Sequence, residues 1–172
     1  MTTGFSMSFG RSVSGAGDIN GDGTDEIIIG SPGNSSFNNI GSYVVFGNDQ
    51  GFNARLDVVF DLNDSNGFGI AGIDAVDLGR SVSGAGDING DGIDDIIIGA
   101  SNASSNDNNL YEGQSYVVFG SNQGFDTPFF NGITGIEVAD LNGSNGFVIN
   151  GIDENDGSGG SVSGAGDVNG DD

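Results

Sequence analysis

A chain of 172 residues with 34 glycines and only 2 prolines is neither collagen-like nor a linker. Glycine at that density also argues against helix, because each one costs about 1 kcal/mol relative to alanine in a helix interior. Twenty-five acidic residues stand against three arginines (Arg11, Arg55 and Arg80), a formal net charge of −22, and no such chain has the basic face that nucleic acid requires.

Histidine, lysine and cysteine are all absent, which removes the common general base, the Schiff-base amine and the thiol together. The reading is therefore of a protein that is not an enzyme. The apolar residues come in bursts of strand length, too short to cross a membrane, so no membrane insertion is expected. Residues 1–10 form a lead-in with neither a charged segment nor an apolar one, and read as lacking a signal peptide.

Along the chain, Ser12-Val13-Ser14-Gly15-Ala16-Gly17-Asp18 recurs identically at 81–87 and again at 161–167. Ile27-Ile28-Ile29-Gly30 returns as Ile96-Ile97-Ile98-Gly99, Tyr43-Val44-Val45-Phe46-Gly47 as 116–120, and Ser65-Asn66-Gly67-Phe68 as 144–147. The order of these anchors is kept while the connections between them lengthen, as expected of a repeated supersecondary unit.

Four short strands are predicted per repeat: about 11–17, 26–30, 42–46 and 67–73, then 80–86, 95–99, 115–119 and 146–152. Four strands joined by turn-rich connections match one blade of a β-propeller. The fold class is thus all-β, with propeller blades of four antiparallel strands: repeat 1 over 11–79, repeat 2 over 80–160, and the first strand of a third repeat in 161–172. The small residues of each first strand have a physical reason, since the innermost strands of all blades converge on a crowded axis.

The loop after the first strand carries the chemistry. Asp18, Asn20 and Asp22 occupy positions 1, 3 and 5, Gly23 position 6 and Glu26 position 9; the second repeat has Asp87, Asn89, Asp91, Gly92 and Asp95 at the same places. Carboxylates this close repel one another unless a hard cation lies between them, and calcium accepts such a numerous, flexible oxygen set, including a backbone carbonyl at position 7 from Thr24 or Ile93. Two Ca2+ sites are expected, from Asp18, Asn20, Asp22, Thr24 and Glu26 and from Asp87, Asn89, Asp91, Ile93 and Asp95. An EF-hand fails because position 12 is Ile29 or Ile98 rather than glutamate. A nine-residue calcium roll fails for want of a nine-residue period. The third copy, from Asp167, has Asp172 where the turn glycine belongs, and no ion is expected there.

Phe9-Gly10, the acidic loop and Gly30-Ser31-Pro32 together resemble an FG-GAP repeat, the blade unit of the integrin α-chain propeller; the second copy differs at Leu78-Gly79 and Gly99-Ala100-Ser101. The resemblance implies a propeller of about seven blades, with calcium loops on one rim and ligands met on the other. It implies an extracellular or cell-surface binding module for adhesion, with a protein or glycan ligand. The connections 31–41, 73–79, 101–113 and 153–160 fall on that opposite rim, where Tyr111 and Glu112 are the most distinctive side chains. Two alternatives differ in class: a self-assembling structural protein joined blade to blade, with other copies or missing blades of a longer chain covering its ends, and an accessory propeller of a larger secreted enzyme.

Overall fold

Isoleucine runs and Tyr-Val-Val triplets strongly favour extended backbone, because β-branched and aromatic side chains pack well on a pleated surface. In the computed structural model they become the central strands of two antiparallel sheets. The structure describes residues 8–33, 39–58, 61–72, 77–104, 111–125, 127–129 and 133–166. Blade 1 contains β1 (Ser12–Gly17), β2 (Glu26–Gly30), β3 (Ile40–Val45) and β4 (Gly67–Ala71). Blade 2 contains β5 (Leu78–Gly86), β6 (Asp95–Ala100), β7 (Gln114–Val118) and, further on, β10 (Gly146–Asn150).

Within each blade the strands pair in chain order as an up-and-down meander, so Ile28 lies opposite Val44 and Ser14, and Ile97 opposite Val117 and Ser83. The same bulge interrupts the inner hairpin of both blades, between Gly15 and Gly17 and between Gly84 and Gly86. Each bulge closes on a glycine of positive φ, Gly17 at 69° and Gly86 at 72°, which turns the chain into the acidic loop.

The inner strands β1 and β5 lie side by side at the blade junction. A Cβ on Gly84 would come within 2.8 Å of the Gly15 carbonyl oxygen, so the glycine-rich composition is a condition of that approach. Ser12 Oγ donates to the Gly79 carbonyl at 3.1 Å, and Ser81 Oγ to the Gly159 carbonyl at 2.9 Å. Residues 161–166 run beside blade 2, where the Gly164 amide donates to Ser83 Oγ at 3.1 Å. They form no regular ladder, and the acidic segment from Asp167 lies outside the described residues.

The main core fills the space between the blades. Ile28, Val44, Phe68 and Ile70 of blade 1 meet Ile96, Ile98, Tyr116 and Val118 of blade 2, all buried. A smaller cluster on the far side of blade 1 gathers Ile40, Tyr43, Val45, Leu62 and Ile133.

One arrangement departs from a simple pair of four-stranded blades. The long connection before β10 contributes β8 (Thr127–Pro128) and β9 (Thr134–Glu137), followed by a short 3-10 turn at 138–140. β9 pairs parallel to β4, giving blade 1 a six-stranded order of β1-β2-β3-β4-β9-β8. The sequence reading treats this connection as a longer loop; instead Ile133 joins the cluster on the far side of blade 1, while Ile136 and Val138 join the core between the blades.

Candidate metal centre

The loop between β1 and β2 is shaped by its own short polar side chains. Asp18 accepts from the amides of Asp22 and Gly23, each at 2.9 Å, Asn20 Oδ1 from the Asp22 amide at 2.8 Å, and Asp22 Oδ1 from the Thr24 amide at 2.9 Å. The loop between β5 and β6 repeats this pattern: Asp87 accepts from Gly90, Asp91 and Gly92, Asn89 from Asp91, and Asp91 from Ile93. Such nested side-chain to backbone bonds make a tight turn whose remaining carboxylate lone pairs point inward. Gly23 and Gly92, at φ 89° and 87°, adopt the left-handed backbone that the sixth position needs.

The two loops differ at the ninth position. Carboxylate oxygens of Asp18, Asp22 and Glu26 lie within 4.8 Å of one another, and among the described residues this is the group whose acids converge so closely. Asp95 is one methylene shorter than Glu26, and its carboxylate is drawn to the amides of Ile88 and Gly120 at 2.8 and 2.9 Å. Glu26 makes the equivalent bonds, from Ile19 at 2.8 Å and Gly47 at 3.3 Å, and its extra length also brings it within 3.4 Å of Asn20 Nδ2.

These side chains sit in unlike surroundings. Burial pushes the Glu26 carboxyl up to about 7, with the charges of Asp22 and Asp18 adding to the rise. Burial likewise raises Asp95. Asp22 and Asp87 are exposed and are held below the usual carboxylate range, Asp22 chiefly by its bond to the Thr24 side chain and Asp87 chiefly by the Gly92 amide. An acid buried at the back of a loop and lined by further carboxylates lacks only positive charge.

Two features of the site lie beyond the acidic motif. Gly47 and Gly120, at the ends of the third strands, hold the ninth-position acids, and the signal for them was the repeated Val-Phe-Gly that closes each burst. Asp94 bridges the loops: its Oδ2 accepts from the Asp18 amide at 2.9 Å, and its own amide donates to the Asp18 carbonyl at 3.2 Å. The ninth-position acids are bonded to the ends of β3 and β7, so the connections that follow those strands share a rim with the acidic loops.

At the opposite end, Asp77 accepts from Ser101 and Asn102 and pairs with Arg80 at 3.5 Å. Tyr111 is exposed there with φ 52°, but Glu112 is buried and accepts from Ser104 Oγ at 3.1 Å. Glu112 is therefore a structural acid and not a displayed one, because the strand-like bridge of Gly113 to Ser158 folds it under the chain. Residues 34–38, 73–76 and 105–110 of the same connections lie outside the described residues.

Two consecutive antiparallel sheets of this kind, packed face to face and each opening on an acidic loop, are blades of a β-propeller. They are FG-GAP repeats: the family described by that name matches residues 9–51 and 78–118. The chain is similar to integrin alpha-4 of Xenopus laevis, 31% identical over 123 residues, which is 72% of this chain and 11% of that protein. It is 34% identical over 110 residues to phosphatidylinositol-glycan-specific phospholipase D of Bos taurus, covering 62% of this chain and 13% of that one. Against integrin alpha-2 of Mus musculus the identity is 36% over 92 residues, 54% and 7%. The chain thus spans about a tenth of the length of the relatives it matches.

Proposed function

We propose that this chain is a calcium-stabilised β-propeller binding module that acts outside the cell or on its surface, in adhesion or attachment to a protein or glycan. The convergence of Asp18, Asp22 and Glu26 carries the reading. A buried carboxyl next to two others is stable as an anion only with a cation in the loop. Side-chain oxygens of Asp18, Asn20, Asp22 and Glu26 with the Thr24 carbonyl form the first site; Asp87, Asn89, Asp91 and Asp95 with the Ile93 carbonyl form the second. The similarity to proteins named integrin alpha supports an adhesive role, with the ligand on the rim away from the calcium loops. No catalysis is assigned to the chain itself. The phospholipase relative supports a further setting, in which such blades accompany an enzyme.

Thermal melts with calcium and with excess chelator test the metal. At free calcium about tenfold above Kd, each site adds about 1.4 kcal/mol to stability, and the melting temperature rises accordingly. Asp22→Ala should abolish most of that gain at the first loop and Asp91→Ala at the second, while Asp49→Ala leaves both intact. An unchanged melting temperature on chelation would overturn the calcium assignment.

Self-assembly is a second reading, favoured by the apolar residues that blade 1 and blade 2 leave exposed on their outer faces, among them Ile27, Phe52, Phe147 and Ile149.

A further inference from the structure

The acidic loop of blade 1 is seated on blade 2 by its backbone. Asp18, the first ligand position, is tied to Asp94 at both its amide and its carbonyl: the amide donates to Asp94 Oδ2 at 2.9 Å, and the carbonyl accepts from the Asp94 amide at 3.2 Å. The next residue continues the seam, because the Ile19 carbonyl accepts from the Ser121 amide at 2.9 Å while its side chain is wholly buried. Gly17 and Gly21 bracket this contact. A Cβ on Gly17 would collide with the Asp94 carboxylate, and one on Gly21 would press on Asn122 at 3.3 Å, so blade 2 approaches the loop as closely as glycine permits.

Each of these bonds starts from a residue that adjoins the second loop's own ligand set. Asp94 is at a ligand position of neither loop, but it stands between Ile93, whose carbonyl is at position 7, and Asp95, the acid at position 9. Ser121 follows Gly120, whose amide holds the Asp95 carboxylate at 2.9 Å. Across the seam, Ile19 passes the restraint on, since its amide donates to Glu26 at 2.8 Å. Two short routes therefore join the loops: one from Asp95 through Asp94 to Asp18, the other from Asp95 through Gly120 and Ser121 to Ile19 and Glu26. In the first route the joining group is a side chain, which a substitution can remove.

We propose that the two calcium sites are coupled across the blade junction, with Asp94 of blade 2 as the positioning residue that sets Asp18 of blade 1. The inference rests on the calcium reading of both loops and adds how one site acts on the other. An ion in the second loop fixes the backbone on either side of Asp94, and the Asp94 carboxylate then holds the Asp18 backbone where its side chain can ligate the first ion. Coupling of this kind is reciprocal, so an ion in the first loop favours the second by the same factor. A hydrogen bond to a carboxylate is among the stronger ones, and partners that orient metal ligands typically change affinity by about tenfold or more. Repulsion between two divalent ions acts the other way, but it is screened by salt at exposed loops.

Isothermal titration of calcium chloride into the whole chain, freed of metal by chelator, tests the coupling. The parent should bind two ions with positive cooperativity, and disabling either loop, by Asp22→Ala or Asp91→Ala, should weaken the site that is left by about fivefold or more. Asp94→Ala should abolish the cooperativity and weaken the first site by about tenfold, while the second site, isolated in the Asp22→Ala background, changes little. Asp94→Asn keeps an oxygen for the Asp18 amide and should restore most of what alanine loses. Asp25→Ala removes the same charge from the corresponding place in the first loop, where the side chain is exposed, and should leave the cooperativity intact. Exchange of the Asp18 amide, followed by NMR in chelator, reads the bridge without metal: it should quicken in Asp94→Ala and not in Asp94→Asn. Independent sites in the parent would overturn the coupling and leave the calcium reading standing. Equal losses in Asp94→Ala and Asp94→Asn, or a loss confined to the second site, would make Asp94 a mere local charge and overturn its positioning role. A parent that takes up no calcium would overturn the calcium reading and the coupling with it.

Discussion

Glu26 is an acid kept where its charge is resisted, and this sets a pH dependence. Folding lifts its carboxyl from 4.5 to about 7, so as pH rises the unfolded chain gives up its proton first. In chelator, stability should therefore fall as pH rises from about 4.5 to about 7 and level off above, with Asp95 contributing in the same direction. Asp22 and Asp87 act the opposite way and lower down, adding stability that is lost as pH falls below their ordinary 3.8. Calcium should reverse the first trend, because the bound ion needs Glu26 ionised; the gain in melting temperature on adding calcium should be larger at pH 7 than at pH 5. Melts of Glu26→Gln in chelator should lose most of the slope in that window. The ligand-like positions were legible as residues because two copies of the spacing agree. The amide bonds of Glu26 and Asp95 were not, since nothing in the motif says that Ile19, Ile88, Gly47 and Gly120 aim their amides at those acids.

The eight blade strands are legible in the chain because the two repeats spell each of four strands twice, and the matching glycine bulges before Asp18 and Asp87 keep these irregularities in step. β8 and β9 are a different matter. They hold two and four residues in a stretch with glycine and proline, and their extended form depends on an edge of blade 1 that no local pattern can announce. Ahead of them, the same connection carries Phe125 onto Phe68. Phe125→Ala should cost about 3 kcal/mol, the range for deleting a buried aromatic ring, and denaturant melts should show the loss without a change in sheet content. Phe52→Ala, its exposed counterpart, should cost little.

A net charge of −22 on a chain of this size opposes every contact between copies. Any self-association should accordingly strengthen when sodium chloride is raised toward physiological strength and beyond, since screening removes the repulsion between copies. Sedimentation across a salt series checks this, and weakening with salt would mean that the contact is ionic. At this scale the blade architecture was legible in the sequence, but not which faces of the two blades meet. That emerges only when register shows Ile28 and Ile97 to be equivalents pointing the same way in successive sheets.

The parallel pairing of β9 with β4 has a mechanical consequence. Blade 1's outer edge is closed by a segment that lies between β7 and β10 along the chain, so blade 2 cannot leave without stripping its neighbour, and the short β8 with Pro128 blunts the edge beyond. Repeats that touch only across a flat boundary can yield to tension one after another. Here the boundary is laced, and a molecule pulled from its two ends in an optical trap should give way in a single extension step, the two blades failing as one knot of chain.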